Sequence, residues 1–148
     1  MSNKILIYID QFQGVALPSS WEALGVGSAI ASELSGEVLA LVIGQDIKQV
    51  VSDAYQYGAD QVYFADDASL KDYRPEPYTA IIAKIASEQM PDVILFPTTT
   101  RGRELAGMSA IDLDTGVLPD VTQYTIRDGR IFVTRPVYAG KLLVNATC

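Results

Sequence analysis

The sequence predicts an α/β fold, a doubly wound and mostly parallel sheet followed by a β-rich C-terminal part. Three observations carry this. Four short apolar runs, at 4–9, 38–43, 61–65 and 93–96, are too continuous for half-exposed strands and read as strands buried on both faces. Segments with helical spacing and helix punctuation separate them, which is the order of a parallel sheet with helical crossovers. The last third instead shows alternation and a tight-turn dipeptide, with no convincing helix.

The elements follow in order. Lys4-Ile5-Leu6-Ile7-Tyr8-Ile9 is the first strand and runs into the carboxylate Asp10. After Pro18, Ser19 with Glu22 three residues on has the capping-box pattern, so a helix is expected from Ser19, with Gly36 as its left-handed stop. Gly25 and Gly27 lie inside that helix. Each costs about 1 kcal/mol against alanine, and close approach to the sheet is the expected reason for both. The run 38–43 is the second strand, 47–60 holds a second helix ending at Gly58, and 61–65 is the third strand. In 75–91 the spacing of Tyr78, Ile81, Ile82 and Ile85 marks one buried helical face, and Pro91 marks its exit. The fourth strand, 93–96, leads through three threonines into a helix from about Thr100 to Leu113. Beyond it, Val121 to Ile126 alternates, Asp128-Gly129 signals a hairpin, and Ile131–Thr134 pairs back. A turn at Ala139-Gly140 precedes a final strand over 141–145, and these strands are expected to extend the parallel sheet. The chain stops inside that last strand pattern, which reads as the leading piece of a longer protein or as a truncated form.

Composition narrows the chemistry. The 148 residues fit one domain, 49% hydrophobic and 20% charged. A net charge of −7 with no Lys/Arg cluster argues against nucleic acid and against an anionic membrane surface. There is no histidine, and Cys148 is the lone cysteine, so triad, Cys-His and zinc-cluster chemistry have no residues to work with. No catalytic constellation remains, and the expectation is a non-enzyme. No signal-peptide pattern and no long apolar span is present, so the cytoplasm is the expected compartment.

Ligands of a parallel sheet sit at the carboxyl ends of its strands. The first βα loop has Gly14 alone and lacks the dinucleotide fingerprint, and no P-loop pattern occurs. Asp10 reads either as a ribose or metal carboxylate or as a local backbone cap. Asp66-Asp67 reads as a cation pair or as a turn. Arg135 and Tyr138, beside Pro136, read as an edge-strand kink or as interface contacts. The segment Phe96-Pro97-Thr98-Thr99-Thr100-Arg101-Gly102-Arg103 has two readings as well. Its hydroxyls, helix start and cations fit an oxyanion. Thr100 with Glu104 also fits plain helix capping, and Glu104 repels an anion.

The blocks 36–44 (GEVLALVIG), 58–67 (GADQVYFADD), 91–107 (PDVILFPTTTRGRELAG), 116–121 (GVLPDV) and 135–141 (RPVYAGK) occur in an order and spacing that resembles the N-terminal domain of the electron-transfer flavoprotein α subunit. That family includes nitrogen-fixation and carnitine-pathway members, and the resemblance covers almost the whole chain. It implies a Rossmann-like fold akin to adenine-nucleotide α-hydrolases and universal stress proteins. It implies a scaffold that pairs with a β subunit, carrying AMP or a second FAD, in a heterodimer. FAD then lies in a C-terminal domain absent from this chain, none is bound by residues 1–148, and electrons come from dehydrogenases such as the acyl-CoA dehydrogenases. Gly102, Arg103, Glu104, Leu105 and Ala106 match the family pattern, whereas Gly107 and Met108 stand where proline and arginine are usual. Gly102, Gly107 and Gly116 are wrongly spaced for the nucleotide loop of the related folds. The expected contacts to a partner or an anion are Thr98, Thr99, Arg101, Gly102, Arg103, Arg135 and Tyr138. The alternative is a stand-alone adenine-nucleotide module of the universal-stress-protein kind.

Overall fold

A computed structural model describes residues 3–137 and 142–146. Strands β1 (Lys4–Ile9), β4 (Glu37–Gly44), β5 (Gln61–Asp66) and β6 (Val93–Leu95) form one parallel sheet in the order β5-β4-β1-β6. The chain builds outward from β1 through β4 to β5, then crosses to the other side of β1 with β6. The switch point therefore falls between β1 and β6, and the carboxyl end of that gap is where such sheets open a crevice.

The period of two in β1 and β4 divides the core. Ile5, Ile7, Ile9, Val38, Ala40 and Val42 face one side, against Leu24 and Ile30 of α1 (Pro18–Leu34) and Val50 and Ala54 of α2 (Lys48–Gln56). Leu6, Tyr8, Leu39, Leu41 and Ile43 face the other, against Tyr78 and Ile82 of α3 (Pro75–Gln89) and Leu105 of α4 (Thr100–Asp112). Both faces of β1 and β4 are covered, which is why these two strands read as continuous apolar runs, whereas β5, at the sheet edge, is not buried on both faces as expected and leaves Phe64 exposed. On α3, Ile81 and Ile85 are partly buried beside Tyr78 and Ile82, as the spacing predicts.

The expected capping box does not form. Helix α1 starts one residue earlier, with Pro18 in its first turn and Leu17 as an N-cap that makes no side-chain bond. Proline pre-sets the helical φ and has no N–H to satisfy, so Ser19 already lies inside the helix. Gly36 is not the left-handed stop: Ser35 takes that conformation, at φ 52°. Gly36 is small for another reason, since a Cβ there would sit 1.9 Å from the carbonyl oxygen of Asn3. Gly27 does admit the sheet, with Ile7 Cδ1 only 2.7 Å from where its Cβ would be, but a Cβ on Gly25 would meet no described atom within 4 Å outside its own helical turn.

Two further elements differ from expectation. The first βα connection contains a small antiparallel hairpin, β2 (Gln11–Phe12) and β3 (Val15–Ala16), turned by Gln13 and Gly14 at positive φ. The C-terminal strands β7 (Gln123–Arg127), β8 (Arg130–Val137) and β9 (Leu142–Ala146) do not extend the parallel sheet. They form their own antiparallel sheet, in the order β7-β8-β9. Its Tyr124, Ile126 and Ile131 pack on the core cluster of the α1 and α2 side. One-sided packing explains the alternation of β7, which is half-buried rather than doubly covered.

Candidate functional site

The site grows from Asp10, the residue after β1. Its main chain is fixed first: its N–H donates to Ser20 Oγ at 2.8 Å, and that hydroxyl donates back to the Asp10 carbonyl at 3.0 Å. The side chain is fully buried. A buried carboxylate costs several kcal/mol unless compensated, and the compensation comes from across the switch point. Thr99 Oγ1 donates to Asp10 Oδ2 at 2.8 Å, and Arg101 Nε lies 3.7 Å from Oδ1. Oδ1 accepts no hydrogen bond from any of the described residues.

Thr99 has a second task. It is the N-cap of α4, and its hydroxyl accepts the Gly102 N–H at 2.9 Å. Gly102 is required by proximity: a Cβ there would lie 2.2 Å from the Pro97 carbonyl oxygen. The turn from β6 into α4 is thus locked onto the end of β1.

Arg101 is held between rings, its guanidinium carbon 5.7 Å from the centroid of Phe12 and 5.5 Å from that of Tyr73. Both distances are within cation–π range. The Tyr73 hydroxyl donates to Glu104 Oε1 at 2.5 Å, and Tyr73 meets Tyr78 edge-on at 5.1 Å. Desolvation pushes the Tyr73 phenol well above its ordinary value, and the bond to the negative Glu104 adds to it. Desolvation also raises Tyr78, whose hydroxyl donates to the Leu70 carbonyl at 2.7 Å. A hollow of about 220 Å³ opens here, lined by Phe12, Lys71, Tyr73 and Arg101 among others. A second, of about 250 Å³, adjoins it and shares Gln11, Gln13 and Lys71. Among the described residues no group of three or more His, Cys, Asp or Glu is placed to hold a metal ion. No helix among them is long and apolar enough to cross a membrane.

An electron transfer flavoprotein domain model matches residues 5–148, nearly the whole chain. The chain belongs to the electron transfer flavoprotein domain family. It is 37% identical to Protein FixB of Azorhizobium caulinodans over 143 residues, covering 94% of this chain and 39% of that protein. The electron transfer flavoprotein subunit alpha of Megasphaera elsdenii is 33% identical, over 97% of this chain and 43% of its own length. That of Bacillus subtilis is 29% identical, over 95% and 43%. This electron transfer flavoprotein domain therefore spans about two-fifths of the length of these relatives.

Within the domain, the residues singled out from sequence separate. Thr99, Arg101 and Gly102 come together around Asp10. Thr98 is exposed, and Arg103 points elsewhere, pairing with Asp120 at 2.8 Å on the surface. Arg135 lies on β8 opposite Val144. Tyr138 lies outside the described residues. The cap is Thr99 and not Thr100, and Glu104 serves Tyr73 and not the helix start. Asp10 does not cap local N–H groups but receives Thr99 and Arg101 from another element. Asp67 takes the turn reading, capping the short helical turn after β5 by accepting the Ser69 N–H, whereas Asp66 fits neither reading: it reaches across to accept the N–H groups of Asp46 and Ile47 at the start of α2. Sequence reasoning missed Phe12, Lys71 and Tyr73. For Phe12 a signal existed, an aromatic residue beside the Gln13-Gly14 turn.

Proposed function

We propose that this domain is the N-terminal scaffold of an electron-transfer flavoprotein α subunit. It pairs with a β subunit to form the base on which a C-terminal FAD domain of the same polypeptide rides. Electrons pass from dehydrogenases, acyl-CoA dehydrogenases among the candidates, through the FAD of that further domain, while the β subunit carries AMP or a second FAD. Residues 1–148 act as one domain and bind no flavin themselves. The observation that carries this reading is the family match over 5–148 together with relatives more than twice as long. The partner contacts are assigned to Thr98, Arg101, Arg103, Arg135 and Tyr138, with Thr99 and Gly102 shaping the turn that presents them.

Two preparations test it. The 148-residue chain, incubated with FAD and desalted, is expected to come through colourless. The chain continued to the length of its relatives and co-purified with a β subunit is expected to be yellow. Stoichiometric FAD retained by residues 1–148 alone overturns the assignment. Arg103→Ala, which costs the fold little because its ion pair is exposed, is expected to weaken β association.

A further inference from the structure

The two adjoining hollows at the carboxyl ends of β1 and β4 carry more unspent polar groups than a docking turn needs. Arg101 uses only its Nε edge toward Asp10, and its Nη atoms make no hydrogen bond among the described residues. The Lys71 ammonium, on the rim of both hollows, makes no ion pair or hydrogen bond among them. Beside these two cations stand the carboxylates of Asp46 and Asp72 and the amides of Gln13 and Gln45, equally uncommitted. Gln11, by contrast, uses both ends of its amide, donating to the Ile43 carbonyl at 3.0 Å and accepting the Gly14 N–H at 2.9 Å, and so fixes the floor. The crevice lies at the carboxyl ends of the strands, where parallel sheets take ligands, and Arg101 borders it from across the switch point.

We propose that this crevice binds a phosphorylated sugar moiety. The division of labour is chemical. A guanidinium fork and an ammonium match a phosphate monoester. Carboxylates accept from sugar hydroxyls and amides both accept from and donate to them, contacts that a bare inorganic anion cannot make. The glycine spacing of α4 leaves no glycine-rich phosphate loop, so the side chains of Arg101 and Lys71 carry the anion. The Phe12 ring, exposed on the hairpin beside Arg101, offers a stacking face if the sugar bears a base. This inference goes beyond the scaffold reading and does not depend on it.

The test is titration of the 148-residue chain, followed by amide chemical shifts, with ribose 5-phosphate, AMP, ribose and inorganic phosphate. Saturable shifts at residues around Gln11–Gln13, Lys71–Tyr73 and Arg101 are expected with ribose 5-phosphate, at a Kd below about 1 mM. Ribose and phosphate alone are expected to bind at least about tenfold more weakly. Lys71→Gln, at an exposed position that leaves the fold intact, and Arg101→Lys, which keeps a charge beside Asp10, are each expected to weaken binding about fivefold or more. AMP binding more tightly than ribose 5-phosphate, with Phe12→Ala removing the difference, identifies a nucleotide as the source. Equal affinities identify a free sugar phosphate. No saturable shift with either ligand up to about 10 mM, or affinity unchanged in both variants, overturns the proposal. So does inorganic phosphate binding as tightly as its ester.

Discussion

The least replaceable polar residue is Asp10, because it is wholly buried and its compensation comes from residues 89 and 91 positions away in the chain. Removing one member of such a set leaves a charge stranded in the core. Arg101→Ala is expected to cost about 2 kcal/mol by urea unfolding, below the value for a fully buried pair because the arginine is about a quarter exposed. Asp10→Asn keeps an acceptor for Thr99 and removes the buried charge, so the double variant Asp10→Asn/Arg101→Ala should be more stable than the two losses added together. A coupling of at least about 1 kcal/mol is expected in that cycle, and strict additivity would show that the 3.7 Å contact contributes nothing. The serine pair makes a sharper contrast. Ser20 is buried and bonds both main-chain groups of Asp10, whereas Ser19 makes no cap. Ser20→Ala should therefore lower stability by about 1–2 kcal/mol, while Ser19→Ala should move the unfolding midpoint little. The capping-box reading predicts the reverse order, so one pair of denaturation curves decides between them.

At the scale of elements, the turn from β6 into α4 is the most constrained. Gly102→Ala forces a methyl toward the Pro97 carbonyl, a rigid main-chain neighbour. The cost is expected to be about 2–3 kcal/mol, with loss of Thr99 capping visible as exchange of the Gly102-position amide. Gly25→Ala has open space and better helix propensity, so it should stabilise α1 by about 0.5–1 kcal/mol. These two glycines also show what a sequence discloses. Helices and parallel strands were legible because periodicity is local: the four apolar runs became β1, β4, β5 and β6 nearly residue for residue. What a glycine is for depends on what approaches it, so Gly25 and Gly27 look alike in sequence yet only Gly27 meets the sheet. The same holds for Thr99 and Thr100, where the N-cap is decided by which hydroxyl can also reach Asp10. The site was therefore half visible. Thr99, Arg101 and Gly102 lie in one legible stretch, but Phe12 and Tyr73 reach Arg101 only through the fold.

For the whole molecule, one central sheet covered on both faces gives two cores, and the order β5-β4-β1-β6 gives the crevice. The β7 and β8 strands and the hairpin at Asp128-Gly129 are legible in the sequence, but not their separation from the parallel sheet, because alternation reports one-sided burial and not the sheet to which a strand belongs. The second core holds the tyrosines that set the response to alkali. Tyr8 lies 2% exposed among Leu6, Leu39 and Leu41, and burial drives its phenol far above the ordinary 10.0, with Asp10 adding to the effect. Tyr73 and Tyr78 are raised in the same direction, again chiefly by desolvation. A phenol is neutral below its pKa, so the folded state keeps these protons at pH values where the unfolded chain has released them. The stability they confer is complete below pH 10.0 and falls as pH rises beyond it. Of the eight tyrosines, Tyr8, Tyr73 and Tyr78 are therefore expected to ionise late, in a second phase of tyrosinate absorbance that coincides with loss of helical circular dichroism. Tyr8→Phe removes one of those protons and should shift the alkaline transition to higher pH, provided the ring packs as before. A single early titration of all eight, with secondary structure intact, would mean that the second core admits water and that its tyrosines are not held dry.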